Sequence, residues 1–262
     1  LEWAEQGGLI CAEDLTQFQV EERAPLRVQG GQFEDFEILL NPPPASGGTL
    51  IAHTLAQPEI STATGLARAM QSTASARQQL LDPPSRGSTT HLSVLDASGN
   101  AASLTMTNGE GCGSLLPAYG FMLNNVLGEE DLNPGGFHRH VPGQRLPSMM
   151  SPTIVLREGR PVLVTGSGGS NRIRSVIIQV LINTLEKGET LEAATLSPRL
   201  HFDGEKLQVE PGFTDDEMAP LRTIAPVNAW DSPSLYFGGA HSVTPSGGFG
   251  DPRRSGCAVS FS

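Results

Sequence analysis

Residues Ser88–Thr107 read STTHLSVLDASGNAASLTMT. Apolar Leu92, Val94 and Leu95 sit among His91, Ser93 and Asp96, with the hydroxyl pair Thr89-Thr90 at the head of the run. The segment Asp96-Ala97-Ser98-Gly99-Asn100 is a tight-turn signal, and a second run follows from Ala101 to Thr107. This pattern predicts two antiparallel strands joined as a hairpin. Taken alone it is an ordinary hairpin, and most hairpins do no chemistry. Three later stretches change its weight: Asn124-Asn125, then Arg145-Leu146-Pro147-Ser148-Met149-Met150-Ser151-Pro152, then Gly166-Ser167-Gly168-Gly169-Ser170-Asn171-Arg172.

In this order the four stretches resemble the γ-glutamyltransferase (γ-glutamyltranspeptidase) family of N-terminal-nucleophile hydrolases. There a T-T-H-x-S-V-x-D strand opens the small subunit, and L-N-N, R-P-L-S-S-M-S-P-T and G-S-x-G-G-S follow. Any one of these is a weak signal; four in sequence are a strong one. Further likenesses lie at both ends. Leu15–Pro25 is similar to L-x-x-[FY]-x-x-x-E-R-x-P through Glu22-Arg23-Ala24-Pro25. Pro42–Gly48 is similar to P-P-P-[SA]-S-G-G, and Gly250–Arg254 to G-x-x-D-P-R-R. The resemblance implies an α+β fold, an αββα sandwich with two stacked, mostly antiparallel sheets between helical layers. It also implies that residues 1–88 correspond to the later part of a large subunit and residues 89–262 to the small subunit, as one intertwined domain. On that reading the chain begins mid-protein, and the family's preceding segment is an expected partner. The stretch from Asp82 to Ser88 is much shorter than its counterpart in the family. The family is often periplasmic or extracellular, and no signal-peptide pattern stands at Leu1.

The chemistry follows from the nucleophile. A threonine hydroxyl is a poor nucleophile at neutral pH. Placed at a chain N-terminus, it has its own α-amino group, of reference pKa about 8, as a base. Thr89 is internal, so the resemblance implies self-cleavage before Thr89: its hydroxyl attacks the Ser88 carbonyl and water resolves the ester. Thr107 is then the residue that hydrogen-bonds the nucleophile. Asn108 stands in for the substrate amide of the family's T-x-N. Where the family has Q-x-x-D the chain reads Val126-Leu127-Gly128-Glu129, so Glu129 is the expected partner of the substrate α-ammonium, with Glu130 and Asp131 as close competitors. A carboxylate suits that role. The family's S-S pair reads Pro147-Ser148, followed by Met149. Ser148 is the expected α-carboxylate ligand, and Met149 and Val126 fall in the acyl pocket. Gly168, Gly169 and Ser170 offer backbone N–H groups as an oxyanion hole. In the family an arginine from the large subunit's N-terminal half also grips the α-carboxylate.

The implied reaction is γ-glutamyl transfer from glutathione or a related γ-glutamyl amide to water, an amino acid or a peptide, with no metal or organic cofactor. Two other readings stand beside it. One is an acylase for a different amide, such as a glutaryl or cephalosporin side chain. The other is a non-catalytic piece that keeps the fold as a binding or structural module.

Composition fits a globular chain and narrows its partners. The 262 residues are 38% hydrophobic and 17% charged, with 30 Gly and 20 Pro, a loop-rich makeup. Seventeen Lys and Arg against 28 Asp and Glu give a net charge of −11, which argues against a nucleic-acid surface. Cys11, Cys112 and Cys257 are far apart and form neither a disulfide framework nor a zinc pattern. The longest apolar run, Val176–Ile182, is interrupted by Gln179 and too short to span a bilayer.

Periodicity supplies the remaining elements. Helices are expected over Ala12–Phe18, Thr49–Leu55, Gly65–Leu81, Ile173–Lys187 (ending at Gly188) and Thr190–Ala194. Strands are expected at Leu26–Gln29, Phe36–Leu40, Gly120–Asn125, Leu200–Phe202 and Leu207–Val209. A hairpin is expected over Thr153–Arg157 and Pro161–Thr165, and another within Ser232–Ser262. The loop Gly109–Gly113 lacks the Lys-Ser/Thr of a phosphate loop. His138 and His140 have the type of metal ligands, but with no third ligand nearby they read as a solvated loop.

Overall fold

The computed structural model describes residues 10–78, 89–129, 133 and 136–261. After a short exposed helix, α1 (Ala12–Gln17), the chain pairs Leu26–Gly30 (β1) with Phe33–Leu40 (β2) across the Gly30-Gly31 turn. Phe33, Phe36, Ile38 and Leu40 of β2 point into the core. Helices α2 (Ser46–Leu55) and α3 (Ala63–Gln78) follow. The predicted hairpin forms as β3 (Thr89–Leu95) and β4 (Ala101–Thr107), with Thr89 opposite Thr107 and Leu95 opposite Ala101. Asp96 fixes its turn, its carboxylate accepting from the Ser98 and Asn100 amides at 2.9 and 2.8 Å. Of the expected strand at Gly120–Asn125, only Phe121–Met122 (β6) is extended, against Leu115–Leu116 (β5). Asn124 and Asn125 instead accept backbone N–H groups and bend the chain.

The second half completes the main sheet. Thr153–Arg157 (β7) and Arg160–Thr165 (β8) form the expected hairpin, and Ser167–Gly168 (β9) continues after Gly166. Helix α4 (Arg172–Leu181) is buried along its whole length and turns into a π turn at Ile182–Glu186. Then come α5 (Leu191–Leu196), β10 (Leu200–Phe202), β11 (Leu207–Val209), α6 (Asp215–Ile224), β12 (Val227–Ala229), β13 (Gly239–Thr244) and β14 (Gly247–Gly250). Seven strands make one antiparallel sheet, ordered β1-β2-β7-β8-β13-β14, with β9 also on β13. Strands β10, β11 and β12 form a separate small sheet.

One face of the large sheet packs on α2, α3 and α4 through Ile38, Ile51, Leu66, Val155, Ile173 and Ile177, all 5% exposed or less. Burial of each such side chain contributes on the order of 2 kcal/mol. The β3–β4 hairpin lies on the opposite face, and its inward side is the polar one. Ser93 Oγ donates to the His241 carbonyl at 2.8 Å, and Ser103 Oγ donates to the Thr165 carbonyl at 3.1 Å. Leu92, Val94, Leu104 and Met106 face outward. The layering is the expected α+β sandwich, with stacked antiparallel sheets against helices. No described helix is long and apolar enough to cross a membrane.

Candidate active site

Strand pairing brings the two threonines of the hairpin's open end together. Thr89 Oγ1 donates to Thr107 Oγ1 at 3.2 Å, and the Gly109 amide donates to the same Thr107 oxygen at 3.0 Å. The β3 backbone presses on β9. A Cβ built on Gly168 would lie 2.1 Å from the Thr89 carbonyl oxygen, so no side chain fits there. Gly169 (φ +127°) and Ser170 (φ +51°) then turn the chain into α4, leaving the helix N-terminus beside the threonine pair. Thr89, Thr107, Gly168 and Gly169 therefore converge.

The wall behind Gly168-Gly169 is held by buried charge. A Cβ on Gly169 would meet the Gly238 Cα at 2.9 Å. The Gly238 carbonyl accepts from Arg199 at 3.4 Å, and the neighbouring Phe237 carbonyl at 3.1 Å. Arg199 is fully buried and paired with Asp251 at 2.5 Å. Asp251 also accepts from the Ala240 and Arg253 amides, and Arg253 binds both oxygens of Glu210. The Asp-Pro-Arg-Arg stretch thus anchors the start of β13. Losing one partner of so buried a pair is far more costly than losing a surface pair.

Glu129 reaches the same place from a different loop. It is buried, and its carboxylate lies where a Gly109 side chain would be, 1.8 Å from that glycine's hypothetical Cβ. Asn133 holds the loop by donating to the Glu129 and Val126 carbonyls at 2.6 and 3.1 Å. Glu130 and Asp131 lie outside the described residues. The Asn108 side chain is spent locally, donating to the Met122 carbonyl at 3.2 Å.

Ser148 and Met149 sit on a separate segment clasped by the turn at Pro42–Gly48. The Ser46 and Gly47 amides, at the N-terminus of α2, donate to the Ser148 carbonyl at 2.9 and 3.1 Å. Ser148 Oγ accepts from the Met150 amide at 3.1 Å. Met149 is turned inward, with its sulfur accepting from Ser46 Oγ at 3.2 Å. The proline-glycine turn therefore presents its helix amides to the chain itself. Among the described residues no hydrogen bond joins Ser148 to Thr89. His140 bonds Asn133 at 2.8 Å, and no cluster of metal-ligating side chains occurs among the described residues.

Sequence reasoning passed over His91. Its imidazole is sealed between hairpin and sheet, Nδ1 on Thr105 Oγ1 at 2.8 Å and Nε2 on Ser93 Oγ at 2.9 Å. Gly166 must be glycine because its Cβ would lie 2.2 Å from the ring. The available signal was the alternation His91, Ser93 opposite Ser103, Thr105, which makes one polar hairpin face. Burial, and then the neighbouring His241, push the His91 imidazole down to about 4. Unfolded, the ring titrates near 6.5. Between these values the unfolded chain binds a proton that the folded chain excludes. Stability is therefore full above pH 6.5 and lost as pH falls towards 4, by at most roughly 3 kcal/mol from this group. The buried His201 acts in the same direction. Urea melts at pH 7 and pH 4.5 should show the loss, and His91→Gln should shrink the difference between the two pH values.

Comparisons with known proteins show the family. A family model described as Gamma-glutamyltranspeptidase matches residues 54–261. The glutathione hydrolase proenzyme of Escherichia coli (strain K12) is 30% identical over 287 residues, 84% of this chain and 49% of that protein. The acylase ACY 1 proenzyme of Pseudomonas sp. (strain SE83) is 28% identical, over 81% of this chain and 47% of that protein. The chain thus spans about half the length of these relatives. The crystal structure of cephalosporin acylase from Bacillus halodurans superposes with a TM-score of 0.79 at 20% identity, covering 99% of this chain and 57% of that one, a likeness of fold.

Proposed function

Because the chain belongs to the γ-glutamyltranspeptidase family, we propose that it is the catalytic part of a threonine N-terminal-nucleophile enzyme that hydrolyses or transfers γ-glutamyl groups. Residues 1–88 and 89–262 are the two sides of its processing cut. In the cut, Thr89 Oγ1 attacks the Ser88 carbonyl carbon and the Ser88–Thr89 C–N bond breaks, leaving an ester and a free Thr89 amine. Water then hydrolyses the ester, giving a carboxylate on Ser88 and restoring the Thr89 hydroxyl.

In turnover the Thr89 amine takes the hydroxyl proton as the oxygen attacks the γ-carbonyl carbon. Gly168 and Gly169 N–H groups stabilise the oxyanion, and the proton passes to the departing amine. Water or an amino acid then accepts the glutamyl group from the ester. Thr107 orients the nucleophile, Glu129 receives the substrate ammonium and Ser148 the carboxylate. Ser170 lines the oxyanion loop. Glutathione, named in the activity of the Escherichia coli relative, is the expected donor class. The observation that carries this reading is the Thr89–Thr107 hydroxyl contact at 3.2 Å, with the Gly168 backbone closed against the Thr89 carbonyl.

The acylase reading has its own support in a relative of that name. Substrates differing only in the α-ammonium separate the two. γ-Glutamyl-p-nitroanilide should be hydrolysed at least tenfold faster than glutaryl-p-nitroanilide, and Glu129→Gln should erode that preference by raising KM for the former. Equal rates, or a glutaryl preference, favour the acylase. The non-catalytic reading requires that neither substrate turn over.

A further inference from the structure

A cavity of about 470 Å³ opens at the far end of α4 from the threonine pair. The ten residues of α4 set the two apart by about 15 Å along its axis. Its floor is apolar, with Ile60, Leu66, Ile182 and Leu200. Three polar features line it.

The first is the N-terminus of α3, a helix of 16 residues. Thr62 caps it by accepting from the Gly65 amide at 3.0 Å. Ala63 and Thr64 line the cavity, and their amides, in the first turn of the helix, have no hydrogen-bond partner among the described residues. Such amides favour a carboxylate. The second is Asn183, on the π turn. It is only 7% exposed, yet its side-chain amide bonds no described residue, whereas nearby Gln179 is satisfied at both ends by Ser175 and Leu200. The Asn183 side chain lines the cavity and opens to it, and π turns occur often at functional sites. The third is the charged rim. Lys187 adds a cation, and Asp216 an anion that is free of the Thr214–Glu217 capping box.

We propose that this cavity is a binding site for a free amino acid or short peptide with an apolar side chain. Its carboxylate meets the α3 amides and Lys187, its ammonium meets Asp216, and its side chain rests on the apolar floor. Asn183 bonds the carboxylate or the first peptide group. The site does not touch the reaction centre, and the inference does not rest on the reading of Thr89.

The test is a nuclear magnetic resonance titration of the chain with L-leucine, leucinamide and 4-methylpentanoate, followed at the Ala63 and Thr64 amides and the Asn183 side chain. L-Leucine should produce saturable shifts at all three. Leucinamide, without the carboxylate, should bind at least tenfold more weakly, and 4-methylpentanoate, without the ammonium, severalfold more weakly. Ala63→Pro suits the first helical position and removes one donor; it should weaken L-leucine at least tenfold. The exposed change Asp216→Asn leaves folding intact and should weaken L-leucine severalfold but not 4-methylpentanoate. Absence of any saturable shift, or equal binding of leucine and leucinamide, overturns the proposal.

Discussion

Thr89→Ala should lose essentially all γ-glutamyl hydrolysis, by roughly 10⁴-fold or more, as expected when a covalent nucleophile is removed. The change deletes one hydroxyl from a half-buried position at the edge of the hairpin, where its bond to Thr107 spans 3.2 Å. The hydrogen bonds of the polar layer beneath, from Ser93 and Ser103, are untouched. Stability should therefore move by no more than about 1 kcal/mol. The pairing of large kinetic loss with small stability loss separates a nucleophile from a structural threonine. Thr89→Ser keeps an attacking oxygen and should retain measurable turnover. Initial rates on γ-glutamyl-p-nitroanilide, with thermal melts of all three proteins, check this.

Gly168→Ala should be the most damaging change outside the nucleophile. The added methyl carbon falls 2.1 Å from the Thr89 carbonyl oxygen and 3.0 Å from its carbon, both backbone atoms without a rotamer to yield. Either β3 shifts outward or β9 is pushed towards Gly238 and the Arg199–Asp251 pair. Overpacking of this kind costs about 1–3 kcal/mol. A displacement of the nucleophile by about 1 Å costs about 10²-fold in rate. The expected result is a folded protein, by circular dichroism, with a lowered Tm and kcat reduced about 100-fold or more. A variant with wild-type kcat would mean that β3 and β9 are not held against each other in the working protein.

Much of this arrangement is legible in the sequence, and the gaps have physical causes. The β3–β4 hairpin is plain because alternation and an Asp-Ala-Ser-Gly-Asn turn are local signals. The ends of α4 are less so: Ile173–Lys187 keeps one apolar period, while the backbone switches to a π turn at Ile182. Helix α6 escapes notice because Pro220 sits inside it. Its Thr214–Glu217 capping box, with Thr214 accepting from the Glu217 amide, is the cue that outweighs the proline. His91 and Gly166, 75 positions apart in the sequence, explain each other only once the chain is folded back, and no periodicity reports a contact at that distance. Met149 reads as a pocket residue in line with Ser148, but it is buried with its sulfur accepting from Ser46 Oγ, a contact across 103 positions that no local pattern reports. The cavity beside Asn183 is assembled from segments near residues 60, 183 and 215, each ordinary by itself.

The cut before Thr89 is what makes Thr89 an N-terminal nucleophile. Intact mass of the purified chain, measured for the wild type and for Thr89→Ala, tests it. The wild type should give two pieces, the second beginning at Thr89, and the variant one uncut chain. A single uncut wild-type chain, or the same two pieces from both proteins, would contradict Thr89 as the self-processing nucleophile.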